Sequence, residues 1–345
     1  MRPLVHPALN RVWRDRSTVQ IGLDPARAVV LSGLSAPEAA VLRAFDGSRD
    51  QSTLQALATD AGADAAAADR LLEILRAGGV LVDADQLPDD GGHTGPRAPD
   101  QACLGLLTGS PDGGTTAMAA RRGHWVEVRG AGRVGASVAR LLAAAGLGRT
   151  TVVDRASTTA RDTCPGGLGP RHLGHQRGPA TQRLVARAAT AAAAPGEAAE
   201  PVQAEHPSLV VLAPPPGTVR VTAGELLRSG VPHLVARVVE VTGTVGPLVV
   251  PGRSSCLRCL DLHRTDRDPA WPRVVAQSGH QRLEVAACDV TLAALVAGLT
   301  AQQALAYLDG FQPAALDGTI ETSLPDGLPR RRSWTPHPAC GCTWS

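Results

Sequence analysis

The stretch WVEVRGAGRVGASVARLLAAAGLGRTTVVD, Trp125 to Asp154, decides the fold. Val126 and Val128 alternate as in a strand. Gly130-Ala131-Gly132-Arg133-Val134-Gly135 is a GxGxxG turn, an Ala/Leu-rich helix follows, and Thr150 to Val153 predicts a second strand ending in an acid. The first glycine permits the tight turn, the second lets backbone approach a pyrophosphate, and the third lets the helix pack against the strand. The helix start offers free N–H groups and a positive dipole end to an anion. Asp154 lies 19 residues after Gly135, where an acid meets ribose hydroxyls. An α/β unit that keeps these glycines only for packing is the plainer alternative.

The chain has 345 residues, enough for two domains. It is 43% hydrophobic and 2% aromatic, so its core rests on Ala, Val and Leu. A net charge of +2 gives no footprint for nucleic acid or an acidic membrane surface. There is no lysine, which excludes any mechanism that needs one. No signal peptide and no membrane span are read in the sequence, so the expected location is the cytoplasm, where close cysteine pairs more often mean metal than disulfide.

Residues 1–86 form a first unit. Val12 to Ile21 and Ala28 to Leu31 have strand character, and Ser35 with Glu38 forms a capping box before a helix over Pro37–Phe45. Helices over Ser52–Ala61 and Asp64–Ala77 follow, then a strand at Val80–Val82. This order predicts a small winged helix-turn-helix. DNA binding is disfavoured because the third helix carries Asp64, Asp69 and Glu73 against only Arg70 and Arg76. Residues 87–99 are Gly/Pro/Asp-rich and predict a linker to an α/β domain over 100–345. In that domain Thr181–Ala194 predicts a helix, Pro207–Ala213 a buried strand, Val241–Pro251 a hairpin turning at Gly243 or Gly246, and Glu284–Leu308 a long buried or dimer-interface helix.

Cys256-Leu257-Arg258-Cys259 and Cys340-Gly341-Cys342 supply four thiolates from two turns. That set suits a tetrahedral structural zinc with no open position for catalysis. A redox CxxC is the rival. Cys103, Cys164 and Cys288 are expected to be ordinary buried or free thiols. His263, Asp261 and Asp266 are expected to cap and solvate a helix after the zinc turn, and Glu240 is a candidate neighbour of the nucleotide cleft.

In order and type, residues 124–345 resemble the ThiF-like family, relatives of the ubiquitin-activating enzymes. The resemblance implies ATP binding at Gly130, Gly132 and Gly135, ribose binding at Asp154, and adenylation of a C-terminal carboxylate. The family's phosphate-binding lysine falls on Arg177, which follows Gly174 and opens a helix. Its Asn/Arg/Gln phosphate cluster is replaced by Thr159–Gly166, where Arg161 is a partial substitute, and its magnesium-binding Asp is replaced by Pro214-Pro215-Pro216-Gly217. Each lost positioned group removes about 2.7–4 kcal/mol of transition-state stabilisation. No catalytic residue is assigned. Residues 1–86 resemble PqqD-like recognition domains, which bind a leader peptide as an added strand. Together the parts resemble the leader-peptide-binding partners of azoline-forming cyclodehydratases. That implies a scaffold for a precursor leader peptide and a YcaO-type cyclodehydratase, working as a homodimer. An active ATP-dependent adenylyltransferase is the alternative, and a nicotinamide or flavin oxidoreductase a distant third.

Overall fold

The computed structural model describes residues 1–64, 66–88, 95–193, 202, 204–213, 219–278 and 285–343. The chain divides into two units, Met1–Ala120 and Arg121–Ser345.

In the first unit β1 (Pro3–Val5), β2 (Arg11–Trp13), β3 (Val19–Ile21) and β4 (Val29–Leu31) precede α1 (Ala36–Arg43), α2 (Gln51–Asp60) and α3 (Ala67–Ala77). Then come β5 (Leu81–Asp83), α4 (Ala98–Thr108) and α5 (Thr115–Arg122). The continuous strand expected over Val12–Ile21 is a hairpin, with Arg11 opposite Ile21 and Trp13 opposite Val19. Asp15 causes the reversal, because its carboxylate accepts the Ser17 N–H at 2.7 Å in an Asx turn. Val19 and Ile21 are fully buried while Val12 is exposed. β2, β3 and β4 form one sheet, and β5 pairs instead with β1 in a second. The capping box is present: Ser35 Oγ accepts the Glu38 N–H and Glu38 accepts the Ser35 N–H. Leu71, Leu72 and Leu75 of α3 are buried with Phe45 and Leu54, whereas Ile74 faces solvent. On α3 Asp69 accepts from Gln51 and Gln55, and Asp64, three residues before the helix, pairs with Arg70.

The second unit contains β6 (Trp125–Arg129), α6 (Arg133–Ala144), β7 (Arg149–Val153), α7 (Arg177–Ala192), β8 (Leu209–Leu212) and α8 (Val219–Arg228). It continues through β9 (His233–Val239), β10 (Thr242–Val249), α9 (Leu257–Arg267), α10 (Trp271–Ser278), α11 (Val290–Leu308), β11 (Gly318–Ser323) and β12 (Arg330–Ser333). These strands make one seven-stranded sheet in the order β12-β11-β10-β9-β8-β6-β7. β7, β6, β8 and β9 are parallel; β10, β11 and β12 extend the sheet antiparallel. Val126, Val128, Leu209, Val211 and Leu234 face α6, α7 and α11 on one side. Val210, Leu212 and Val235 face α8 on the other. This is a doubly wound α/β layer, and its winding reverses between β6 and β8.

Three expectations change. The hairpin turns at Glu240-Val241, not at Gly243 or Gly246, and Glu240 takes the left-handed φ of 55° that the tight turn needs. Glu240 is exposed in that turn. The long helix starts at Val290 because Asp289 caps it, accepting the Leu292 N–H at 2.6 Å. Glu284 and Ala194 lie outside the described residues, as do Pro214 to Gly217. α11 is long and apolar enough to cross a membrane, yet Leu292, Ala293, Val296, Ala297, Ala301 and Ala304 pack into the sheet's core. At the sheet edge, Arg330, Arg331 and Arg332 of β12 are exposed in a row, pairing with Asp326, with loop carbonyls and with Glu321 respectively.

Candidate functional site

The glycine loop has the predicted geometry. Gly130 holds φ at 102°, and a Cβ on Gly135 would stand 1.9 Å from the Gly130 carbonyl oxygen. Helix α6 therefore starts pressed against the end of β6. Asp154, at the end of β7, accepts the Ala131 N–H at 2.8 Å and the Ala156 N–H at 2.9 Å. The acid thus braces the loop from below.

Arg177, the first residue of α7, reaches the same place. Its Nε lies 3.2 Å from Asp154 Oδ2, and its Nη1 donates to Asp162 Oδ1 at 2.9 Å. A Cβ on Gly132 would meet only Arg177 Nη1, at 3.7 Å. The five predicted nucleotide residues are therefore one cluster. Arg133 keeps a buried Nε with no hydrogen-bond acceptor among the described residues, and the Arg177 Nε, though 3.2 Å from Asp154, is not aimed at it as a hydrogen bond. Two buried guanidinium groups beside a helix N-terminus, Arg177's already shared with carboxylates, suit an anion such as phosphate. Asp162 was not expected here. Its signal was the Thr159-x-x-Asp162 capping box, in which Thr159 N and Oγ1 both donate to Asp162 at 2.8 Å and turn its other oxygen toward Arg177.

The four predicted metal ligands also meet. Their Sγ atoms all lie within 4.8 Å of one another, with Cys256–Cys340 at 3.5 Å and Cys259–Cys342 at 3.3 Å. A tetrahedron with Zn–S of about 2.3 Å has edges of about 3.8 Å. Cys256 and Cys259 are buried at the start of α9. Without a cation the thiols conflict over protons. Donation from Cys256 holds the Cys259 thiol well below the usual thiol range, Cys256 is pushed above it, and burial followed by Cys259 pushes Cys342 up. A divalent cation resolves that conflict, so the donor set fits zinc. Of the other cysteines, Cys164 is buried, Cys103 is exposed and Cys288 lies between.

A brace next to this cluster was not anticipated. His263 of α9 bonds the Thr335 carbonyl through Nε2 at 2.9 Å, and His337 bonds Asp266 at 2.9 Å. The His337 carbonyl then accepts the Cys340 N–H. Asp261 does not cap the helix: it accepts both Arg220 donors and the Trp271 indole N–H. These groups hold the segment that carries Cys340 and Cys342 against α9.

Fold and site together define a doubly wound α/β protein with a glycine loop and a four-cysteine cluster. No protein-family model and no curated protein matches the sequence. Solved structures share its fold from end to end. Escherichia coli MccB, crystallised with AMPCPP and MccA, has a TM-score of 0.74 and 13% identity over 100% of both chains. The microcin C7 biosynthetic enzyme MccB with N-formylated MccA has a TM-score of 0.73 and 14% identity over 99% of this chain and 100% of its own. PaaA has a TM-score of 0.67 and 14% identity over 95% and 98%. At these identities the likeness is one of fold.

Proposed function

We propose that the chain is a ThiF-like peptide-modifying enzyme. A nucleotide binds at the Gly130–Gly135 loop, and a peptide carboxylate oxygen attacks its α-phosphorus, forming an acyl adenylate and releasing pyrophosphate. The observation that carries this reading is the assembled cluster of Gly130, Gly132, Gly135, Asp154 and Arg177, on a fold shared along its whole length with a protein solved together with AMPCPP and MccA. Residues 1–86 take the leader-peptide role, with strand addition at the β2-β3-β4 sheet as its means. Zinc on Cys256, Cys259, Cys340 and Cys342 is structural. A second copy of the chain covers Val239, Val241, Val290 and Leu295, all exposed apolar side chains.

A scaffold serving a YcaO-type cyclodehydratase is the second reading. One observation favours it: Arg177 is already shared between Asp154 and Asp162. Pyrophosphate exchange separates the two. Zinc-loaded protein with magnesium ATP and a panel of carboxylate-ended peptides should exchange labelled pyrophosphate into ATP. Background exchange with every peptide, alongside measurable peptide binding, would leave the scaffold.

A further inference from the structure

A charged cluster lies on the α8/α9 face of the sheet, away from the glycine loop's helix. Arg237 of β9 stands opposite Thr244 of β10, which stands opposite Glu321 of β11, so the three share one face across three strands. Arg220 of α8 and Asp261 and Arg264 of α9 are near enough to act on Arg237 electrostatically. The acids are spoken for. Asp261 is held by Arg220 at 2.7 and 3.0 Å and by the Trp271 indole, and Glu321 pairs with Arg332 at 3.3 Å. Arg264 rests over Trp271 and Trp334, 4.9 and 5.4 Å from the ring centroids. Among the described residues, Arg237 is the one guanidinium of this group with neither a paired carboxylate nor an aromatic face. It is half-buried, and burial, then Arg264 and Arg220, lower its pKa to about 10. Asp261 and Glu321 act on it only from a distance, and a desolvated cation with no carboxylate in contact is costly unless a ligand supplies one.

Its position points to which ligand. Val235 pairs with Leu212, the last residue of β8, so Arg237 lies two residues past that strand's carboxyl end. Open α/β sheets bind ligands beyond those ends, at the reversal of winding. Phosphates already have cations at the glycine loop in Arg133 and Arg177. One unbalanced, forked guanidinium matches a planar monoanion.

We propose that Arg237, flanked by Thr244 and Arg264, seats the free C-terminal carboxylate of the peptide substrate. This rests on the peptide-activation reading for the source of the carboxylate, and is tested without nucleotide.

The experiment titrates full-length, zinc-loaded protein with N-acetyl-trialanine, with its C-terminal amide, and with inorganic pyrophosphate, read by tryptophan fluorescence. The free acid should bind at least tenfold tighter than the amide. R237Q should abolish that preference, R237K should keep part of it, and neither should change pyrophosphate binding, which R177A should weaken. Melting curves and zinc content show whether each variant folds, and the acid–amide comparison on unaltered protein needs no variant. Equal binding of acid and amide overturns the proposal, as does a preference that survives in folded R237Q. Loss of pyrophosphate in place of acid makes this a phosphate seat and overturns it too. An acid preference in a protein that binds no magnesium ATP would sink the activation reading and leave the seat standing.

Discussion

Arg177 and Asp154 are ion-paired across the mouth of the glycine loop, Nε to Oδ2 at 3.2 Å, with side chains only 12% and 8% exposed. Asp162 takes the same guanidinium from the other side at 2.9 Å. Any phosphate at the loop must compete with two carboxylates for this cation.

Releasing Arg177 should therefore favour nucleotide. D162N removes one competitor and is expected to tighten magnesium ATP binding by about threefold to tenfold, since a charge-assisted bond contributes about 1.5–3 kcal/mol and part is regained elsewhere. R177A should weaken binding at least tenfold. Calorimetric titration decides, and a D162N protein that binds more weakly would show that Asp162 orients Arg177 instead of competing for it.

The cysteine cluster predicts one zinc per chain. C256S should lower metal content toward zero and destabilise residues 121–345, because the bound ion's free energy is folding free energy. Acid should release the metal, since protons compete for thiolates. Metal analysis and melting curves check this, and full metal content in C256S would disprove the four-cysteine site.

Asp112 gives the first unit a pH signature. Burial opposes its charge, but hydrogen bonds from Ser110, Thr116 and Gly114 outweigh it and hold its pKa at about 2. A depressed carboxylate stabilises the fold above its unfolded value, near 3.9, and loses that contribution as pH falls through about 2. D112A should cost about 1–2 kcal/mol at pH 7. The gap between variant and parent should narrow steadily below pH 4; a gap constant down to pH 2 would contradict the assignment.

Arg121 and Asp309 form a buried bidentate pair at 2.9 and 2.5 Å, each side chain 6% exposed, and Arg121 also donates to the Ala145 carbonyl. Removing one partner strands the other's charge. R121A is expected to lose about 3–5 kcal/mol of stability, measured by urea unfolding. Replacing both partners with apolar residues should recover much of it.

What the sequence made legible was local. The strand, glycine turn, helix and acid at 125–154 follow from spacing alone, and two cysteine turns at ligand spacing need no tertiary knowledge. Helices α1 and α3 of the first unit were visible through Ser35, Glu38 and the Leu71/Leu72/Leu75 stripe, whereas α4 fell on a stretch read as linker and apolar run. What was hidden depends on pairing. Asp15 turned one apolar run into two strands, and Glu240 moved a hairpin turn through a backbone conformation that glycine was expected to supply. Partner choice was equally hidden: no local pattern links Asp162 to Arg177, Asp309 to Arg121, or His263 to the carbonyl of Thr335. Short β12, built almost wholly of arginine, had no β-propensity signal to find.

That last strand bears on self-association. An outer strand offers unpaired backbone groups on which another chain can add and propagate a polymer. With Arg330, Arg331 and Arg332 consecutive, both faces of β12 present cations, so a second copy docking there would set like charges against each other. The least strand-like sequence in the sheet thus serves as its guard against fibre growth, and replacing these arginines with valine and threonine would turn the sheet's end into a template.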